Sequence, residues 1–390
     1  MLTRGFRRFR IPRLNPGQNN PISSVRHWNP NSGSMGFGWR RWLSSESGKR
    51  FAAMWGSGDF GRLGLRNLES RWRPAVCSAL SEHSISALAC GGAHTLFLTE
   101  TGRVFATGLN DCGQLGVSGV KAYTMEPLEV LGLKDVLYVS AGYSHSAAIT
   151  VDGELYMWGK NSSGQLGLGK KAAKVVHSPV KVESLNGITI KSVALGSEHS
   201  VAVTDGGEIL SWGGGGSGRL GHGHESTLLG ILRSSSEFTP RLIKKLEGVK
   251  VENVAAGLLH SACTDENGSA FIFGERAINK LFQGFGGANN ATTPSIISEV
   301  PYAVEISCGG YHTCVVTRGG ELYTWGSNEN GCLGTESRDA SHSPVRVEGP
   351  FLKSSVSKVV MSSPGDGEVP MALSPSRDIL LGDSWVMVMM

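Results

Sequence analysis

One pattern recurs five times along this chain, and no other feature narrows the choice of fold so far. The copies are CGGAHTLFLTETGRVFATG from Cys90, SAGYSHSAAITVDGELYMWG from Ser140, ALGSEHSVAVTDGGEILSWG from Ala194, AAGLLHSACTDENGSAFIFG from Ala255 and SCGGYHTCVVTRGGELYTWG from Ser307. Their histidines, His94, His145, His199, His260 and His312, are spaced by 51, 54, 61 and 52 residues. A period just above fifty residues describes a unit of several strands, not one helix pair.

Within a copy the polarity alternates with period two, as in His199-Ser-Val-Ala-Val-Thr204 and Glu208-Ile-Leu-Ser-Trp212, which places apolar residues on one strand face. Asp152-Gly153, Gly206-Gly207, Asn267-Gly268 and Gly319-Gly320 lie between such strands. These dipeptides accept the positive φ of tight hairpins, so the pairing is antiparallel. A further strand precedes each histidine (Ile190 to Ala194 in the third copy), and another lies before that, around Pro179 to Val182. Four short antiparallel strands per unit make the blade of a β-propeller.

The strand after each hairpin ends at Trp55-Gly56, Thr107-Gly108, Trp158-Gly159, Trp212-Gly213, Phe273-Gly274 or Trp325-Gly326. A Gly-x-Leu-Gly turn follows at Gly61, Gly113, Gly164, Gly218 and Gly331. Trp55, Trp158, Trp212 and Trp325 are expected to fill the wedge between neighbouring blades, while the glycines let the backbone reverse in little space.

These units resemble the repeats of the regulator of chromosome condensation family, over residues 51 to about 360. The resemblance implies an all-β, seven-bladed propeller. The stretch Gly221-His-Gly-His-Glu-Ser-Thr-Leu-Leu-Gly230, with the basic leader described below, is similar to the plant mitochondrial branch. Membership of that branch implies a part in organellar transcript splicing and respiratory complex I biogenesis. The founding nuclear member implies a different activity, nucleotide exchange on a small GTPase. A plant UV-B photoreceptor of the same fold senses light through tryptophans in the Gly-x-x-His stretch. The matching residues here are Gly92, Tyr143, Ser197, Leu258 and Gly310, which argues against photoreception.

Two departures from the repeat stand out. Glu275-Arg-Ala-Ile-Asn-Lys-Leu-Phe282 replaces the usual turn, and the sixth unit begins at Val359-Val-Met but has Pro364-Gly-Asp-Gly-Glu-Val369 instead of Gly-x-x-His. Seven third-strand ends are read if Leu381-Gly382 is admitted, against six inner strand pairs. The Trp55 strand is therefore expected to lack inner partners. The last blade (residues 361–390) should be incomplete, as in a truncated or alternatively spliced chain, and Trp385-Val-Met-Val-Met-Met390 fits no part of the repeat.

Charge is concentrated at one end. Residues 1–45 hold eight arginines, no lysine and no acid. Without residues 1–43 the chain has 29 Lys+Arg against 33 Asp+Glu, a formal charge of −4 in place of +4. An Arg-rich, Ser-containing, acid-free start is the composition of an organellar presequence. Arg41-Trp42-Leu43-Ser44-Ser45 resembles a mitochondrial processing site with the cut between Leu43 and Ser44. The expected organisation is a transit peptide over 1–43, a linker over 44–50 and the propeller over 51–390, in the mitochondrial matrix. No run of 18 apolar residues suggests a membrane span.

The tempting chemical motifs have structural readings. Gly56-x-Gly58-x-x-Gly61 and Gly216-x-Gly218-x-x-Gly221 follow strands within a blade turn, not a βαβ unit, so they are not dinucleotide fingerprints. Five symmetry-related histidines spread around an axis and cannot approach to about 2 Å from a common zinc. The Ser or Thr after each one suggests hydrogen bonding within its own blade. The seven cysteines form no CxxC and read as small buried residues. Asn161-Ser-Ser, Asn267-Gly-Ser and Asn290-Ala-Thr match the glycosylation pattern by chance. The clusters Lys170-Lys171 with Lys174, and Lys244-Lys245, are too short for phosphate tracking and read as solvated loops.

No cofactor, metal or catalytic constellation is read, so the expected function is a scaffold for protein partners in the organelle, with RNA engaged indirectly. The longest interval falls before the fourth histidine, which makes His222, His224, Glu225, Arg233 and Glu237 the candidate partner-binding loop. That loop is also the one candidate for the wedge a GTPase exchange factor would use, while direct RNA binding is a further alternative. One expectation is testable on sequence grounds alone. Residues 1–50 fused to a fluorescent protein should enter mitochondria, and nuclear accumulation would overturn the targeting assignment.

Overall fold

The computed structural model describes residues 50–119, 122–223, 236–275, 290–328, 331–348, 356–360, 372–375 and 386–389. Residues Gly48–Met390 form one compact unit. Its strands fall into seven sheets, the blades of the expected propeller. Blade 1 holds β1 (Ala52–Gly56) and β2 (Arg71–Val76). Blade 2 runs from β3 (Ile85–Cys90) and β4 (His94–Thr99) to β5 (Val104–Leu109) and β6 (Tyr123–Glu129). Blade 3 contains β7 (Val136–Ala141), β8 (His145–Thr150), β9 (Leu155–Lys160) and β10 (Val175–Lys181). Blade 4 contains β11 (Ile190–Leu195), β12 (His199–Thr204), β13 (Ile209–Gly213) and β14 (Glu237–Leu242). Blade 5 follows with β15 (Val251–Ala256), β16 (His260–Asp265), β17 (Ala270–Glu275) and β18 (Asn290–Ile297). Blade 6 has β19 (Ala303–Cys308), β20 (His312–Thr317), β21 (Leu322–Gly326) and β22 (Ser341–Arg346). Blade 7 is the pair β23 (Val356–Val360) and β24 (Ala372–Pro375), and β25 (Val386–Met389) joins blade 1.

Blades 2 to 6 are complete four-stranded antiparallel sheets. The strand around Pro179 belongs to β10 and pairs with β9, so it closes the sheet of the preceding histidine. The hairpin glycines Gly153, Gly207, Gly268 and Gly320 all have φ between 77° and 87°, as the dipeptides required. The period-two pattern suggests one apolar face, yet β4, β8, β12, β16 and β20 are buried at every position. Each of these second strands is sandwiched between its neighbours, and its His, Ser and Thr side chains are buried along with its Val and Ala.

Each outer strand would offer a free edge. Pro74, Pro127, Pro179, Pro240, Pro294 and Pro344 stand in those strands, each inside the stretch where the register shifts. Proline without an N–H, set at a bulge, blunts an edge against pairing with another chain.

The Gly-x-Leu-Gly turns join blade to blade. At Gly116, Gly167 and Gly221 the second glycine of the turn rests on the aromatic of the next blade: a Cβ on Gly116 would lie 2.7 Å from Trp158 Nε1, and one on Gly167 2.9 Å from Trp212 Nε1. Trp158 and Trp212 are fully buried there, Phe273 takes the same place, and Trp55 and Trp325 are buried as well. In blade 2 the aromatic is replaced by Thr107, whose hydroxyl donates to Gly61 O at 3.0 Å in the preceding blade.

The tail corrects one expectation. Val386–Met389 does supply a strand beside the Trp55 strand, pairing Ala52 with Val386 and Trp55 with Met389. It runs parallel to β1, whereas every other pair among the described strands is antiparallel. It therefore cannot be a repeat second strand, which would reverse direction through a hairpin. The proposed end at Leu381-Gly382 lies outside the described residues.

Near the axis, Tyr138, Ser192, Asn253 and Glu305 occupy equivalent register positions, just past the bulge of each innermost strand. Burial, reinforced by the charge of Glu305 three blades away, pushes the Tyr138 pKa up to about 12.

A substitution tests the turn packing. Gly116 has φ +69°, so Gly116→Ala meets both left-handed strain and the Trp158 ring. We expect a loss of roughly 2–4 kcal/mol in urea unfolding, against about 1 kcal/mol for Gly119→Ser, whose φ of +85° carries the same strain but whose Cβ site is open.

Candidate interaction site

The repeat histidines are hydrogen-bonded between blades, not within them as the sequence suggested. Nε2 of His94 lies 2.9 Å from Ser146 Oγ, His145 3.3 Å from Ser200, His199 2.8 Å from Ser261 and His260 2.9 Å from Thr313 Oγ1. Each acceptor belongs to the blade that follows. The reason lies in the turn geometry: the hydroxyl is drawn to a Gly-x-Leu-Gly carbonyl in the same inter-blade seam. Ser146 donates to Gln114 O at 2.7 Å, Ser200 to Gln165 O at 2.7 Å and Ser261 to Arg219 O at 2.8 Å. The indoles of Trp158 and Trp212 donate to the same Gln114 and Gln165 carbonyls, each at 2.9 Å.

This arrangement settles the tautomer. A serine hydroxyl has one proton, and a carbonyl can only accept, so Nε2 must donate to the hydroxyl. The other nitrogen, Nδ1, is then an acceptor, and on His94, His145 and His199 it has no partner among the described residues. The rings lie against the glycine of their own turn: a Cβ on Gly91 would fall 2.2 Å from His94 Cε1. Burial lowers the pKa of His94 and His145 to about 3 and that of His260 and His312 to about 4, and it drives His199 well below its ordinary value. His312 breaks the series, because its Nε2 has no partner among the described residues and the next unit lacks the Gly-x-x-His-Ser/Thr sequence.

On the same rim the Gly-x-x-His turns are linked through their backbones. Gly92 N donates to Gly142 O at 3.2 Å, Tyr143 N to Gly196 O at 3.1 Å, Ser197 N to Gly257 O at 3.2 Å and Leu258 N to Gly310 O at 3.2 Å. The turns thus form a rigid arc. Two arginines from the preceding turns clamp it: Arg62 Nη1 donates to Gly92 O at 3.2 Å, and Arg219 Nη1 to Leu258 O at 3.1 Å. Glu198 sits between Lys160 Nζ at 3.3 Å and Arg219 Nη2 at 3.6 Å. Burial lowers both guanidinium pKa values, opposed by Asp59 at Arg62 and by Glu198 at Arg219.

The candidate loop is defined at its two stems. His222 Nε2 lies 3.0 Å from Ser211 Oγ, and Gly223 N donates to Thr292 O at 2.8 Å. Glu237 opens β14 and pairs with Arg241 at 2.5 Å. His224, Glu225 and Arg233 lie outside the described residues, as do Leu43 and Ser44.

Sequence reasoning missed several residues. Asn110, Asn161 and Asn328 accept from Leu115, Leu166 and Leu333 N at 3.1, 3.1 and 3.0 Å, which fixes the turn. Their signal, Asn-x-x-Gly-x-Leu-Gly in three units, was readable. Asn161, buried and bonded through its Nδ2 to Ala173 O, has its amide engaged in the fold. Burial holds the Cys90 and Cys308 thiols at about 12, away from thiolate chemistry.

Comparison with known proteins follows from this geometry. Residues 51–366 match the profile of the RCC1-like domain. The chain is 33% identical over 300 residues to the ultraviolet-B receptor UVR8 of Arabidopsis thaliana, covering 76% of this chain and 65% of that protein. It is 34% identical over 292 residues to the mitochondrial RCC1 domain-containing protein RUG3 of the same plant, covering 72% and 62%. It thus spans a little under two thirds of each relative's length. The crystal structure of human WBSCR16 superposes with a TM-score of 0.67 at 25% identity, over 81% of this chain and 84% of that one.

The histidines also set an acid limit. They are neutral when folded and take up protons below about pH 6.5 when unfolded. The unfolded state therefore binds more protons between pH 6.5 and the folded values, and stability should fall as the pH drops from about 6.5 toward 4. Urea midpoints measured across that range check the trend, and a flat profile would contradict buried neutral imidazoles.

Proposed function

The chain belongs to the RCC1-like domain family, and from that premise we propose that it is a mitochondrial scaffold that holds protein partners on its loops. The observation that carries this reading is the use of the repeat histidines. Four of the five are taken up by a neighbouring blade, and burial keeps all five neutral, so they serve as frame and not as general bases. A rigid frame with variable loops is suited to recognition. The mitochondrial address is supported by the acid-free arginine leader and by the relative whose name places it in mitochondria. Entry to the matrix through cleavage between Leu43 and Ser44 belongs to the same proposal. So does a part in organellar transcript splicing and complex I biogenesis, with RNA engaged through the partner.

The principal recognition element in this reading is the segment between the fixed stems at His222 and Glu237. The same segment would be the wedge in the alternative reading, a GTPase exchange factor. Nothing in the light-sensing name of UVR8 transfers here, since the Gly-x-x-His turns carry no tryptophan.

The test is affinity purification from isolated mitochondria, with and without ribonuclease. Protein partners should survive digestion and be lost when residues 224–235 are deleted, with the melting temperature nearly unchanged. Loss on ribonuclease treatment would favour direct RNA binding. Accelerated nucleotide release from a captured GTPase would favour exchange activity instead.

A further inference from the structure

Blade 1 meets blade 2 in a surface unlike the rest of the rim. Phe60, Leu68, Trp72, Tyr123 and Met125 are all exposed there, and Trp72 is 93% exposed. Three segments bring them together. Gly58 packs so closely on the second segment that a Cβ would lie 2.8 Å from Leu68 O, and Arg66 N donates to Met125 O at 3.0 Å. Phe60 crosses the seam, with its ring edge-on to Tyr123 at 6.5 Å between centroids. Phe60 also holds a positive φ, +57°, as Ser217 holds one at the equivalent place of its own turn, a conformation that costs a non-glycine residue about 1 kcal/mol.

The charges around these side chains have their own character. Residues 51–120 contain no lysine, and every cation in the patch is an arginine. Arg66 pairs with Glu126 at 3.2 Å and Arg71 with Glu69 at 3.0 Å, while Arg73 has no carboxylate partner among the described residues. With Arg62 and Asp59, four arginines face three carboxylates, a positive surplus on a chain whose charge beyond residue 43 is −4. Exposed aromatics and Met with Arg, and without Lys, are the composition of protein-interface cores.

We propose that this surface docks an acidic segment of another protein that presents aliphatic side chains between its carboxylates. The occupant's carboxylates meet Arg73 and compete for Arg66 and Arg71, and its aliphatic groups cover Trp72, Leu68 and Met125. RNA suits the surface less well, because Arg62, Arg66 and Arg71 already hold carboxylates and phosphate tracking draws on several cations at once. The inference rests on the scaffold reading for its context but concerns a different surface from the 222–237 loop.

Tryptophan emission tests it on the full chain. A short amphipathic glutamate–leucine peptide should shift the emission to the blue and saturate, with no shift in Trp72→Phe. Tyr123→Ala or Arg73→Glu should weaken the peptide about tenfold, equivalent to about 1.4 kcal/mol. A lysine–leucine peptide should give no response. No shift with the acidic peptide, an equal shift with the basic one, a response to oligouridylate in its place, or self-association that buries Trp72 would each overturn the proposal. Partner capture that persists in Trp72→Ala while the peptide fails would sink this surface and leave the scaffold reading standing. Ribonuclease-sensitive capture would sink the scaffold reading whatever the peptide does.

Discussion

One hydroxyl, repeated at Ser146, Ser200 and Ser261, is claimed from two sides, and the ring depends on it. It donates to a turn carbonyl of the preceding blade and accepts from that blade's histidine. With a single proton to give, it orders the whole seam. The histidine must carry its proton on Nε2, and the turn must present its carbonyl, while the second glycine of the turn admits the next blade's aromatic at Gly116, Gly167 and Gly221. Each element of the repeat is thus a condition on its neighbour in the next blade. A buried network of this kind is costly if one member is left unsatisfied.

The same logic explains the irregular places. Where the next unit has no Gly-x-x-His-Ser/Thr sequence, His312 Nε2 finds no described partner. Where the turn residue is arginine instead of glutamine, at Arg62 and Arg219, the guanidinium crosses to a turn carbonyl of the next blade and adds a charged clamp. The tail strand beside Trp55 covers an edge without entering the repeat, because a parallel strand cannot offer the histidine and hydroxyl in register.

For function, the consequence is a division of labour. The repeat imidazoles and the Cys90 and Cys308 thiols are spent on the frame, neutral and enclosed. The arginine–aromatic rim of blades 1 and 2 lies outside these seams.

The repeat, its hairpins, the buried tryptophans and the all-β propeller were legible in the sequence, because period-two polarity and Gly turns act over a few residues and recur. The Ser or Thr after each repeat histidine did point to hydrogen bonding, which His94, His145, His199 and His260 make between blades and His312 Nε2 does not make among the described residues. The identity of the partner was not legible, because His94 and Ser146 are 52 residues apart and only the turn packing brings them together. Likewise, alternation suggested one covered face for the second strands, and burial on both faces came from the stacking of blades. No local pattern sets Trp72 and Phe60 apart from core aromatics. Their exposure arises only where segments of two blades meet at the seam, with Phe60 packed edge-on against Tyr123 and Trp72 left in solvent. Local pattern determined the blade; contacts between blades, which no short stretch of sequence encodes, decided the ring, its tautomers and its open surfaces.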